Sequence, residues 1–189
     1  MGVSPAKEFG EASRAVLSKP VYASPSGPRE VATVAGGCFW GIELAYQRVP
    51  GVVKTEVGYT QGHQPNPSYE DVCQGTTGHT EAVRITYDSS AIKYEDLLTV
   101  LWDIIDPTTL NRQGGDTGTQ YRSGIYYHSD EQQQVALRSR EQKSLGQPIA
   151  TEVQPAGTWY PAEDYHQQYL QKGGQCGVTG DLSAIRCYG

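Results

Sequence analysis

Clustered positive charge is missing from this chain. Its 189 residues carry 15 Lys and Arg against 21 Asp and Glu, a formal net charge of −6. Phosphate contacts need grouped cations, so nucleic acid is not an expected partner. Long apolar runs are missing too: none approaches the roughly 18–20 residues of a bilayer-spanning helix, so no membrane partner is expected. Cysteine is sparse, with Cys38, Cys73, Cys176 and Cys187 only, and no two form a CxxC pair. A zinc site of the usual spacing is therefore not expected, and no metal is assigned. Apolar residues make up 37%, low but above the range of disordered chains. That is enough for one domain of ordinary size.

The start of the chain departs from the rest. Residues 1–29 are rich in Ser, Pro, Ala and Gly and hold no apolar core of signal-peptide type. The sixth residue is Ala6, which breaks the myristoylation pattern. The segment reads as a flexible arm. Without a secretory signal, a structural disulfide framework is not expected. The expected compartment is the cytoplasm, with organelle targeting by the arm left open.

Strand and helix periods then alternate. A β-branched run at 31–35 leads into 38–48, where Ile42, Ala45, Tyr46 and Val49 recur at helical spacing. Pro50-Gly51 ends that helix. A strand is expected at 52–60, a short helical turn at Tyr69–Cys73, and a strand at 81–88. Residues 93–105 read as an amphipathic helix with Leu97, Leu98, Leu101, Trp102 and Ile105 inward. A long loop, 106–120, precedes a strand at 121–128. Ser129 with Gln132 marks a capping box, 149–155 an edge strand, and Pro161 the start of a helix over 161–172.

The order to residue 128 is β-α-β-β-α-β. It predicts an α+β two-layer sandwich with a ferredoxin-like split β-α-β core, followed by C-terminal helices and a glycine-rich tail. The division expected is a flexible arm at 1–29, a catalytic domain at 30–172 and a tail at 173–189.

The chemistry gathers where the first strand meets the first helix, in VAGGCFWGIE. Cys38 falls in the first helical turn, where free N–H groups and the helix dipole favour an anion. That position lowers a thiol's pKa. Gly36 and Gly37 would let a substrate reach the sulfur, and Phe39 and Trp40 would wall an apolar pocket. Alternatively, all three side chains pack in the core. Cys73 fits a buried small hydrophobe.

Two long loops add a Tyr and a carboxyl each: Tyr69 and Glu81, and Asp116 and Tyr121. Glu81 opens a buried strand, so desolvation should keep it protonated near neutral pH. A thiolate beside a protonated acid suits attack on a polar S=O, C=O or O–O bond. The alternative is that the carboxyls cap turns and the tyrosines pack. Cys176 and Cys187, in the glycine-rich tail, could condense with a sulfenic acid on Cys38. A cysteine peroxidase, a Cys–His hydrolase using His79 or His166, and a thiol sensor all stay open at this point.

Four stretches narrow the choice: GCFWGIE at 37–43, VGYTQGHQPNPSYEDVCQGTTGHTEAVRITYD at 57–88, DPTTLNRQGGDTGTQYRSGIYY at 106–127 and AEDYHQQYL at 162–170. In series they resemble the A-type peptide methionine sulfoxide reductases. The resemblance covers nearly all of 31–172, and the ending IRCYG is similar to plant-type members. It implies thiol-dependent reduction of the S epimer of methionine sulfoxide, free or in proteins. Cys38 would be the nucleophile and Glu81 the proton donor. Tyr69 and Tyr121 would hydrogen-bond the sulfoxide oxygen, and Asp116 would support the polar side. Phe39 and Trp40 would hold the methyl group. A Cys38 sulfenic acid would be resolved by Cys176 or Cys187, and thioredoxin would restore the thiols. No organic cofactor is implied, and a monomer is expected. His79 and His166 would make structural hydrogen bonds.

Overall fold

The computed structural model describes residues 27–144 and 146–173. Cys176 and Cys187 lie outside the described residues, as does most of the arm. Among the described residues, eight strands and four α-helices follow in chain order. The first half comprises β1 (Arg29–Ala35), α1 (Phe39–Gln47), β2 (Val52–Thr60), α2 (Tyr69–Cys73), β3 (Thr80–Asp88) and α3 (Tyr94–Ile104). The second comprises β4 (Arg112–Gln113), β5 (Asp116–Thr117), β6 (Gly124–Tyr127), α4 (Asp130–Ser144), β7 (Glu152–Pro155) and β8 (Tyr160–Pro161).

The main sheet has the order β7-β6-β1-β3-β2-β8. Its centre, β6-β1-β3-β2, is antiparallel throughout. Each of the two β-α-β units leaves a gap that a strand of the other fills, which is the split arrangement expected from the element order. β7 joins the outer edge parallel to β6, and β8 pairs antiparallel with β2.

The alternation along β3 shows how the layers form. Val83 and Ile85 belong to the core cluster that includes Leu97, Leu98 and Leu101 of α3, all fully buried. Each such leucine contributes roughly 1.5–3 kcal/mol relative to exposure. Between them Arg84 lies 4.5 Å from the centre of the Trp159 ring. The Trp159 indole donates to Glu56 at 2.6 Å. So a loop carrying Ala156 and Trp159 packs on a second small cluster of Ala35, Ala82 and Tyr126. α4 is attached to α3 through the Trp102 indole, which donates to the Ser139 hydroxyl at 2.7 Å. Ser129 caps α4 by accepting from the Gln132 N–H at 3.1 Å.

Three local expectations need correction. Residues 161–172 do not form a helix. Pro161 sits in β8 at the sheet edge, where a missing N–H costs no ladder bond, and a single 3-10 turn, Asp164–His166, follows. The loop at 106–120 contains a small hairpin, β4 with β5, that places Asp116. Cys73 is exposed rather than buried, because Val72 takes the inward position of α2.

Candidate active site

Cys38 is the N-cap of α1 and its side chain makes no capping bond. The backbone reaches this point through Gly37, whose φ of 86° is the left-handed region that favours glycine. The Gly37 N–H donates to the Tyr121 carbonyl at 3.2 Å, which joins the junction to the loop before β6. Gly36 has a different task from the one expected. A Cβ there would lie 2.5 Å from Ile105 Cγ2. Both glycines are buried, Gly36 serving the packing against Ile105 and Gly37 the turn.

Two carboxyls flank the start of α1. Glu81, the second residue of β3, is 2% exposed. Its Oε2 accepts the Phe39 backbone N–H at 3.1 Å. Burial pushes this carboxyl up to about 8, with the Asp116 charge adding and the Phe39 N–H opposing. Glu81 therefore holds a proton at neutral pH. Asp116 faces the backbone N–H of Cys38, which favours its charged form, while burial raises it on balance. Its Oδ2 is buried with no hydrogen-bond partner.

The sulfur itself behaves differently from the helix-terminus expectation. The backbone N–H groups of Trp40 and Gly41 do favour the thiolate. Burial outweighs them, and the Glu81 and Asp116 charges add to it, so the Cys38 thiol is pushed well up. In the resting site the proton stays on sulfur. Cys38 and Glu81 form a coupled pair in which charge on one disfavours charge on the other.

Tyr69 opens α2 and Tyr121 ends the 3-10 turn Thr119–Tyr121. Burial raises both phenols, and each is raised further by the Glu81 charge. Tyr121 also senses Asp116 and Cys38. Both hydroxyls are thus protonated donors beside the acid. The Tyr69 hydroxyl is directed at the Cys73 thiol in this state.

The apolar side is built around one imidazole. Phe39 is 1% exposed, with ring centres 5.9 Å from Tyr59 and 5.2 Å from His166. Trp40 is half-buried and stacks on Tyr169 at 3.9 Å and 17°. The Trp40 indole N–H donates to His166 Nδ1 at 3.1 Å. An indole can only donate, so Nδ1 is the acceptor and Nε2 carries the hydrogen. Tyr69 packs on the same imidazole at 4.4 Å. His79 accepts from the Gly62 N–H at Nδ1, 3.1 Å, and its Nε2 contacts the Gln64 carbonyl at 2.7 Å. His79 is thus bonded at both nitrogens, while His166 accepts at Nδ1 and leaves its buried Nε2 without a hydrogen bond, 3.7 Å from Glu163 Oε2.

The structure brings Cys38, Glu81, Asp116, Tyr69 and Tyr121 into one electrostatic neighbourhood. It places Trp40 beside them at the start of the same helix, with Phe39 behind it. Tyr169, Glu43 and Gln168 belong to the surroundings and were not singled out in the sequence. Glu43 left one legible signal, since it shares the inward face of α1 with Ile42 and Tyr46. Among the described residues, no group of three or more His, Cys, Asp and Glu is arranged to hold a metal ion.

Comparison with known proteins identifies the family. Residues 30–182 match the family model described as peptide methionine sulfoxide reductase. A relative named peptide methionine sulfoxide reductase A4, chloroplastic, from Arabidopsis thaliana is 54% identical, covering 100% of this chain and 76% of the relative. The reduced form of Mxr1 from Saccharomyces cerevisiae superposes with a TM-score of 0.76 at 34% identity, covering 89% of this chain and 99% of that one. Mxr1 in complex with Trx2 matches with a TM-score of 0.51 at 25% identity, over 80% of this chain and 91% of that one. The match spans every element that positions the thiol, the acid and the aromatic wall, and the chain belongs to the peptide methionine sulfoxide reductase family as an A-type member, an oxidoreductase that reduces methionine sulfoxide.

Proposed function

We propose that the chain reduces the S epimer of methionine sulfoxide, free or within proteins, through a sulfenic acid on Cys38. The observation that carries this reading is the buried, protonated Glu81 bonded to the residue after the thiol. A sulfoxide is a poor electrophile until its oxygen is hydrogen-bonded or protonated, and Glu81, Tyr69 and Tyr121 are three donors suited to that oxygen. As the Cys38 sulfur attacks the sulfoxide sulfur, the Glu81 proton passes to oxygen. The Cys38 proton replaces it on the carboxylate, so charge in the site is conserved. Collapse transfers the hydroxyl to Cys38, breaks the methionine S–O bond and releases methionine. Cys38 is oxidised by two electrons and the sulfoxide reduced by two. Asp116 supports the polar side through the Cys38 backbone. Trp40, backed by Phe39, receives the methyl group.

Either Cys176 or Cys187 then attacks the sulfenic acid, forming a disulfide and releasing water. A dithiol of thioredoxin type reopens it, a step supported by the complex of the yeast neighbour with Trx2. The catalytic unit is taken as residues 30–172. The chloroplastic name of the plant relative, which aligns over all of this chain, favours an organelle over the cytoplasm.

The test is a single turnover without reductant. With both tail cysteines replaced by serine, one methionine per chain should be released, and dimedone should label Cys38. Restoring the resolving cysteine should replace the label with a disulfide to Cys38. Labelling at another residue, or no methionine release, would contradict the sulfenate route.

A further inference from the structure

The chemistry proposed above makes no use of Glu43, although this carboxyl is 1% exposed. Three donors converge on it. The Thr55 hydroxyl donates to Oε1 at 2.9 Å, the Gln168 backbone N–H to Oε2 at 2.9 Å, and the Gln168 amide to Oε1 at 3.0 Å. Buried carboxyls are costly unless their oxygens are satisfied in this way. Gln168 is itself unusual. Its φ is 53°, a conformation that L residues adopt only when their surroundings over-determine it. Its amide also reaches the Thr55 carbonyl at 3.3 Å.

The neighbouring residues show what is being held. Gln167 places its side-chain amide against Val57 as a further strand residue would, accepting from the Val57 N–H and donating to the Val57 carbonyl, both at 2.9 Å. Residues 162–169 thus lie as a strap along β2 and α1. One part of the strap, His166, accepts the Trp40 indole N–H. Another, Tyr169, stacks on the Trp40 ring at 3.9 Å. Glu43 stands three residues after Trp40, on the same side of α1, and bonds the residue just before Tyr169. The same contacts tie the strap to β2 through Thr55, whose hydroxyl and carbonyl bond Glu43 and Gln168.

We propose that Glu43, acting through Gln168, is a positioning residue for substrate binding: it fixes the strap so that Trp40 is held between Tyr169 and His166 in the orientation that receives the methyl group. This rests on the reading of Trp40 as the apolar wall. Glu43 touches neither the sulfur nor the sulfoxide oxygen, so its loss acts on affinity and leaves the proton transfer alone.

The experiment uses the full chain with the S epimer of methionine sulfoxide and dithiothreitol. Two variants are compared with the unmutated protein, Glu43→Gln and Gln168→Gly. A carboxamide offers one oxygen to three donors, so Glu43→Gln loosens the strap. KM should rise about tenfold or more, the scale of a lost small apolar contact, while the first-turnover rate at saturating sulfoxide changes less than about threefold. Gln168→Gly keeps the backbone N–H, relieves the strained φ and loses the amide bonds, so KM should rise about three- to tenfold. If Glu43→Gln does not fold, Gln168→Gly carries the test alone. A folded variant with the unmutated KM, or with rate lost and KM kept, overturns the proposal. Failure of the unmutated protein to reduce the S epimer would instead remove the reading beneath it.

Discussion

Serine at position 38 should reduce methionine release by about 10⁴-fold or more, the scale on which enzymes lose rate when a nucleophile is removed. The substitution is close to isosteric. The Cys38 side chain makes no capping bond, so α1 and the junction at Gly37 should be preserved. A serine hydroxyl can neither displace oxygen from a sulfoxide nor store it as a sulfenic acid. Cys73 is a thiol in the electrostatic reach of Tyr69 and Glu81, but the carboxyls that flank α1 are placed around Cys38. The measurement is methionine released per chain, with a melting curve to show that the variant is folded. Near-normal turnover by a folded Cys38→Ser protein would end the account.

Glutamine at position 81 should slow the sulfenate-forming step by about 10²–10⁴, the contribution of a positioned general acid. The pH dependence separates this role from a structural one. Burial pushes the Glu81 carboxyl up to about 8. The Glu81 proton that the proposal needs is therefore present below about pH 8 and is lost as pH rises through it. The first-turnover rate of the unmutated protein should fall above that pH, and the fall should vanish in Glu81→Gln. A second readout concerns the thiol. The Glu81 charge raises the Cys38 pKa, so its removal should lower that pKa and speed alkylation of Cys38 at high pH. The variant would thus hold a more reactive thiol in a slower enzyme. Unchanged single-turnover kinetics, or a fall above that pH that persists in the variant, would show that Glu81 only holds the Phe39 N–H.

How much of this was legible depends on how far apart the interacting residues lie. The element order to residue 128 and the inward faces of α1 and α3 are carried by local periods, and they predict the split sheet. Glu81 could be read because a carboxyl at the head of a buried strand must either keep its proton or find a partner. The thiol's protonation could not be read. The helix-terminus effect is local and is present, but it is outweighed by burial and by charges on β3 and β5, which only the fold brings to Cys38. The segment at 161–172 failed for the same reason. Its leading Pro suits a helix, yet the bonds that hold it run from Gln167 to Val57 and from Gln168 to Glu43 across more than a hundred residues of chain. Cys73 was misplaced because one turn of helix has a single inward position, and Val72 takes it.

The most direct test of the central claim is turnover of the two separated methionine sulfoxide epimers with dithiothreitol as reductant. Multiple turnovers are predicted on the S epimer and none above background on the R epimer. In the proposed arrangement the three donors take the oxygen and Trp40 the methyl group, and the R epimer exchanges a substituent. Equal reduction of both epimers, or reduction of neither while peroxide is consumed, would contradict the claim.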